Sequence, residues 1–105
     1  MNGIRTVTAK EIETFGGDIV GQRRQMACRF IEVSDTWVRL LLRDDRYVGL
    51  MVTDEKGTIF QYSFAKKDKY GKELVDLKAG TGMRLIGTIA IVDATYVFLV
   101  EEIRR

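Results

Sequence analysis

The sequence predicts an all-β domain of five strands with two short helices, and three local signals carry that prediction. Runs of alternating apolar residues recur from Arg23 to Ile103, the period of half-buried strands. Thr53-Asp54-Glu55-Lys56-Gly57-Thr58 reads as a type I turn closed by a left-handed glycine, which joins two of those runs as a hairpin. Ahead of them, Thr8-Ala9-Lys10-Glu11 is a capping box that starts a helix.

The helix has Thr8 as N-cap, Glu11 as its reciprocal partner, and Val7 with Ile12 as a hydrophobic staple; Gly16 and Gly17 are placed to end it. The first strand is Arg23–Val33. Met26, Cys28 and Phe30 share one parity, then apolar parity moves to Ile31 and Val33, which predicts a bulge near Phe30. Thr36–Leu42 reads as a further extended piece, with Val38, Leu40 and Leu42 opposite Trp37, Arg39, Leu41 and Arg43. Asp44-Asp45-Arg46 is a turn into the hairpin of strands two, Tyr47–Thr53, and three, Thr58–Ala65.

The turn sets the hairpin register as Asp54 opposite Thr58, Val52 opposite Phe60, Leu50 opposite Tyr62 and Val48 opposite Phe64. One face is then wholly apolar or aromatic, whereas a one-residue slip would leave both faces half apolar. On this register Tyr62 and Phe64 belong to the core, and Gln61 and Ser63 face solvent. Asp68–Lys78 reads as a helix, with Tyr70, Leu74 and Leu77 at helical spacing, Gly71 weakening it and Gly80 stopping it. Strand four, Met83–Val92, is apolar on both faces and holds Gly87 where the chain must bend or approach another backbone. A turn at Asp93-Ala94-Thr95 leads into strand five, Tyr96–Glu102.

A bent first strand, a hairpin, a short helix and a second hairpin whose first strand is bent at a glycine form an order that resembles the OB-fold, a five-stranded Greek-key barrel. The resemblance covers about Gln22 to Glu102 and is one of pattern. It departs from the pattern at Cys28, where OB strands often carry glycine, and in the length of Ser34–Arg46. Another small antiparallel barrel, such as an SH3-like one, is the alternative. Residues 1–105 form a single domain in this reading, with 1–21 as an N-terminal capping helix segment and 22–105 as the barrel.

A chain of 105 residues, 46% hydrophobic and 30% charged, can bury one core without disulfides or metal. Histidine is absent and Cys28 is the single cysteine, so no Ser/His or Cys/His pair and no intrachain disulfide can form. Asp44-Asp45, Asp54-Glu55 and Glu101-Glu102 read as solvated acids at turns or a strand end. Gly80-Thr81-Gly82 lacks the lysine and the following helix of a phosphate loop. Cys28 shares the parity of Met26 and Phe30 and reads as a buried thiol. The expectation is a protein with no enzymatic activity, no cofactor and no metal. No apolar run approaches the ~20 residues of a membrane span, and Met1–Arg5 lacks the apolar segment of a secretory signal. With one free cysteine, a cytoplasmic location is expected.

Two binding classes remain. A formal charge of +2 is mild, yet Arg24, Arg29, Arg39, Arg43, Lys66 and Lys67 fall where an OB barrel borders its groove, beside Trp37 and Tyr47. They are the candidate residues for a single-stranded nucleic acid. The competing reading is a solvated surface, with Asp44, Asp45 and Asp68 cancelling part of the charge. The second class is a protein partner or self-assembly through a patch of Tyr47, Met51 and Ile59. An open barrel leaves strand edges and this chain has no proline to block them, so a homodimer is expected.

Overall fold

Turn chemistry closes both hairpins of the computed structural model, which describes residues 3–105. Gly57 takes φ 84°, the left-handed conformation that its turn requires. Asp93 and Ala94 also take positive φ, giving a two-residue loop between the paired Val92 and Thr95. The elements are α1 (Ala9–Ile19), β1 (Arg23–Val33), a π-helical turn (Val38–Leu42), β2 (Tyr47–Asp54), β3 (Ile59–Lys66), α2 (Lys67–Val75), β4 (Gly82–Val92) and β5 (Thr95–Arg104). The strands close a barrel in the order β1-β2-β3-β5-β4, with β3 and β5 parallel and the other pairs antiparallel.

The two long strands coil where the sequence breaks their pattern. Ile31 is an extra residue in β1 between the pairs Phe30–Val52 and Glu32–Met51, the bulge that the change of parity predicts. In β4 the register against β5 shifts between Ile86 and Gly87. A β-carbon on Gly87 would overlap the Leu99 carbonyl oxygen, so only glycine lets the two backbones meet there. Inside the barrel lie Met26, Cys28, Phe30, Leu50, Val52, Phe60, Leu85, Ile89 and Phe98, joined by Leu74 of α2 and by Val7, Ala9 and Ile12 at the start of α1.

The capping box forms as the sequence predicts, with Glu11 N–H donating to Thr8 Oγ1 at 3.3 Å and Thr8 N–H to Glu11 Oε1 at 2.8 Å. Gly16 and Gly17 do not end α1, which continues to Ile19 beyond a kink at Phe15. The Tyr96 ring lies against Gly16, where a β-carbon would overlap it. Those glycines make room for a distant side chain. Similarly, α2 ends at Val75, and Gly80, at φ 91°, steers the chain into β4 instead of stopping the helix.

The predicted hairpin register and the extended reading of Thr36–Leu42 are both overturned. The hairpin keeps its register only near the turn, at Thr53–Ile59 and Val52–Phe60. Beyond these, an extra residue on β3 at Gln61–Tyr62 shifts the pairing to Leu50–Ser63 and Gly49–Phe64. Phe64 is therefore buried outside the barrel, packed with Val38, Leu41 and Val97. Ser63 is fully buried, contrary to the predicted exposure, and its hydroxyl has no hydrogen-bond partner. Ser63→Ala should therefore raise stability by about 1 kcal/mol in urea unfolding, because it removes a desolvated hydroxyl; a loss would show that the hydroxyl is satisfied.

Thr36–Leu42 is not extended. Arg39 N–H donates to Asp35 O at 3.0 Å and Arg43 N–H to Val38 O at 2.6 Å, with Arg43 left-handed at φ 55°. Coiling the segment brings both Val38 and Leu41 onto Phe64 and Val97, whereas alternation would have turned Leu41 away.

The open edge behind the homodimer expectation is largely absent. The barrel is closed, and β1 residues 23–27, which run past the end of β2, are covered by the chain's own N-terminal segment. Gln25 N–H donates to Arg5 O at 3.0 Å and Val7 N–H to Gln25 O at 2.9 Å. Among the described residues, no helix is long and apolar enough to cross a membrane.

Candidate nucleic-acid interface

The β3 bulge decides what the outer face of β2 and β3 presents. It frees Tyr62 from the interior assigned to it, so that the ring sits half-buried at the barrel surface. The Tyr62 and Trp37 rings are 5.4 Å apart between centroids and tilted by 58°, and Phe60 and Tyr62 meet in a T-shaped pair at 6.0 Å. Trp37 Nε1 donates to Gln61 Oε1 at 3.0 Å, which fixes the indole against the strand. The result is a small aromatic platform, braced from below by the cluster around Phe64. The alternation of the sequence turns Gln61 to solvent, where it is found, but assigns Tyr62 to the core, because no local signal marks the bulge at Gln61–Tyr62.

The predicted basic residues are held in different ways. Tyr47 packs on the same cluster as Trp37, and Lys66 Nζ lies 5.2 Å over the Tyr47 ring. Arg39 is exposed and pairs with Asp35 at 3.3 Å, and Arg43 ends the π-turn. Lys67 opens α2, its N–H donating to Arg46 O at 2.8 Å. Arg24 is not available: it is only 8% exposed, donating to Thr6 O at 3.3 Å and to Gln22 Oε1. Its parity with Met26, Cys28 and Phe30 was the signal that it points inward. Arg29 is exposed but lies on the β1–β4 side, its Nη1 donating to Gly80 O at 3.1 Å. In the other predicted patch, Tyr47 and Met51 are half-buried and Ile59 is exposed.

Local charge is mixed. The Arg46 guanidinium and backbone N–H both donate to Asp44, holding its carboxyl down at about 2, so it stays ionised beside the start of β2. Asp54 is not the solvated turn acid that the sequence implies. It is buried, and accepts backbone N–H groups from Ala9 at 2.8 Å, Lys56 at 3.0 Å and Thr58 at 2.9 Å. Burial, with the Asp54 charge as the lesser cause, pushes the Cys28 thiol up to about 12, which keeps it neutral and unreactive. Among the described residues, no group of three or more Cys, Asp or Glu is placed to hold a metal ion.

No family model matches the chain, and no curated protein matches it. Solved structures do. Over 97% of its length the chain is similar to asparaginyl-tRNA synthetase from Pyrococcus horikoshii in complex with asparaginyl-adenylate, with a TM-score of 0.68 at 15% identity. It spans only 22% of that synthetase chain. It is also similar over 98% of its length to a chain of a replication protein A heterotrimer bound to ssDNA, with a TM-score of 0.62 at 13% identity and 80% of that chain covered. The barrel is an OB-fold. At these identities the likeness is one of fold, and this OB-fold's own surface must supply the functional reading.

Proposed function

We propose that this OB-fold is a non-catalytic binding module for single-stranded nucleic acid, with bases stacking on Trp37 and Tyr62. The observation that supports it is the Trp37–Gln61 hydrogen bond, which holds an aromatic pair on the outer face of β2 and β3. That is the face through which OB-folds take oligonucleotides. In this reading Arg39, Arg43, Lys66 and Lys67 supply the phosphate contacts, Lys66 from over the Tyr47 ring that packs on the same cluster. Three or four such contacts give a log–log salt slope of about −2 to −3 for a single strand.

Labelled thymidine oligomers titrated at low salt test the reading by anisotropy. Trp37 is the only tryptophan, so its fluorescence should change as a base stacks on it. Trp37→Ala should weaken binding by about 1–3 kcal/mol, the range for one stacked base. No anisotropy change at high micromolar protein would refute it.

A second reading has its own support, since Leu40 and Ile59 are 59% and 53% exposed. Together with Tyr47 and Met51 they suit a protein partner or a symmetric homodimer, and sedimentation as a monomer at high micromolar concentration would count against the dimer. The buried free thiol of Cys28 suits a reducing, cytoplasmic setting.

A further inference from the structure

The β1–β4–β5 side of the barrel carries arginines that face one another. Pairing sets Arg84 between Ala27 on β1 and Arg104 on β5, and sets Arg29 opposite Gly82. Like charges directly opposite across a strand pair repel. Arg104 is relieved by Glu102 at 2.6 Å, Arg105 by Glu73 at 3.0 Å and Arg23 by Glu101 at 2.9 Å. Arg29 and Arg84 are not relieved in this way. Arg29 donates to the Gly80 carbonyl and Arg84 Nη1 to Gln25 Oε1 at 3.2 Å, both neutral acceptors. Among the described residues, neither has a carboxylate within 4.0 Å.

These side chains border a groove of about 700 Å³ lined by Arg29, Gly82, Arg84, Arg104 and Arg105, with Glu55 at its hairpin end. Asp54 also reaches the groove, but its carboxylate already accepts three backbone N–H groups. Ala27 and Gly82 keep the floor low between the two unrelieved guanidiniums. A guanidinium presents a planar fork of donors that matches two phosphate oxygens at once.

We infer that this groove is a phosphate site, binding successive phosphates of either a nucleic-acid backbone or a free inorganic polyphosphate. It shares no residue with the Trp37 platform and stands whether or not bases stack there.

The test uses the full chain at low salt, with tripolyphosphate by calorimetry and a labelled thymidine oligomer by anisotropy. Wild-type protein should bind tripolyphosphate. The double variant Arg29→Gln/Arg84→Gln should bind it about tenfold or more weakly, having lost two charge-assisted contacts. Trp37→Ala should bind it as wild type does. If the strand backbone runs through the groove, the double variant also lowers the oligomer salt slope by about 1.4, two contacts at the single-strand coefficient. An unchanged slope with lost tripolyphosphate binding identifies free polyphosphate as the ligand. Without ligand, the double variant should melt no lower than wild type, because it relieves repulsion. Arg84→Lys, which keeps the charge and loses the fork, gives an intermediate affinity and serves should the double variant fail to fold. Tripolyphosphate that does not bind, or binds the variants as tightly as wild type, overturns the inference. Oligomer binding that is indifferent to Trp37→Ala overturns only the platform.

Discussion

Replacing Asp54 by alanine should cost about 3–5 kcal/mol, because one carboxylate ties two elements that the chain holds far apart. Its Oδ1 accepts from Lys56 and Thr58 inside the hairpin turn, and its Oδ2 accepts from Ala9 at the first turn of α1. The residue is 5% exposed, so alanine would leave donors without partners where little water reaches them. The carboxylate also sits at the positive end of the α1 dipole. Asp54→Asn separates the two roles. Its amide oxygen can still serve the turn, while its amide nitrogen meets the Ala9 N–H donor to donor, so about half the loss should remain. Urea unfolding followed by circular dichroism measures both variants, and hydrogen exchange at Ala9 reports the helix tie. A loss below about 1 kcal/mol for alanine would show that the turn and the helix are held by other contacts.

Phe64→Ala should cost a similar amount, about 3–5 kcal/mol from lost transfer energy and the cavity left behind. Where the loss is felt distinguishes this residue from the interior phenylalanines. Phe64 is fully buried beneath the π-turn with Val38 and Leu41, and Trp37 packs on the same cluster. The variant should loosen the π-turn, shift Trp37 emission to the red and expose it to quenchers in the folded protein. Phe98→Ala empties the barrel interior instead and should lose comparable stability without that local signal. Equal quenching in the two variants would contradict the placement of Phe64 on the outer face.

These two residues also mark where sequence reasoning stops. The chain by itself determined the succession of the five strands and two helices, though not the π-turn between β1 and β2. A capping box, a glycine-closed turn and period-two alternation act between residues a few positions apart, and they placed β1 at Arg23–Val33, the bulge near Phe30 and the close approach at Gly87. The Asp54 tie to Ala9 lay beyond it, because the turn predicted an exposed acid and only the closed barrel brings α1 to that turn. The β3 bulge at Gln61–Tyr62 was equally hidden, since either register buries aromatic surface and tertiary packing made the choice. Once the strand slips, Phe64 needs cover on the outside, and Val38 and Leu41 supply it by coiling a segment whose pattern also suits a strand. The same slip sets Tyr62 beside Trp37. The fold is written in short-range chemistry, whereas the candidate site depends on which face a register leaves outside, and that is decided only when all five strands close.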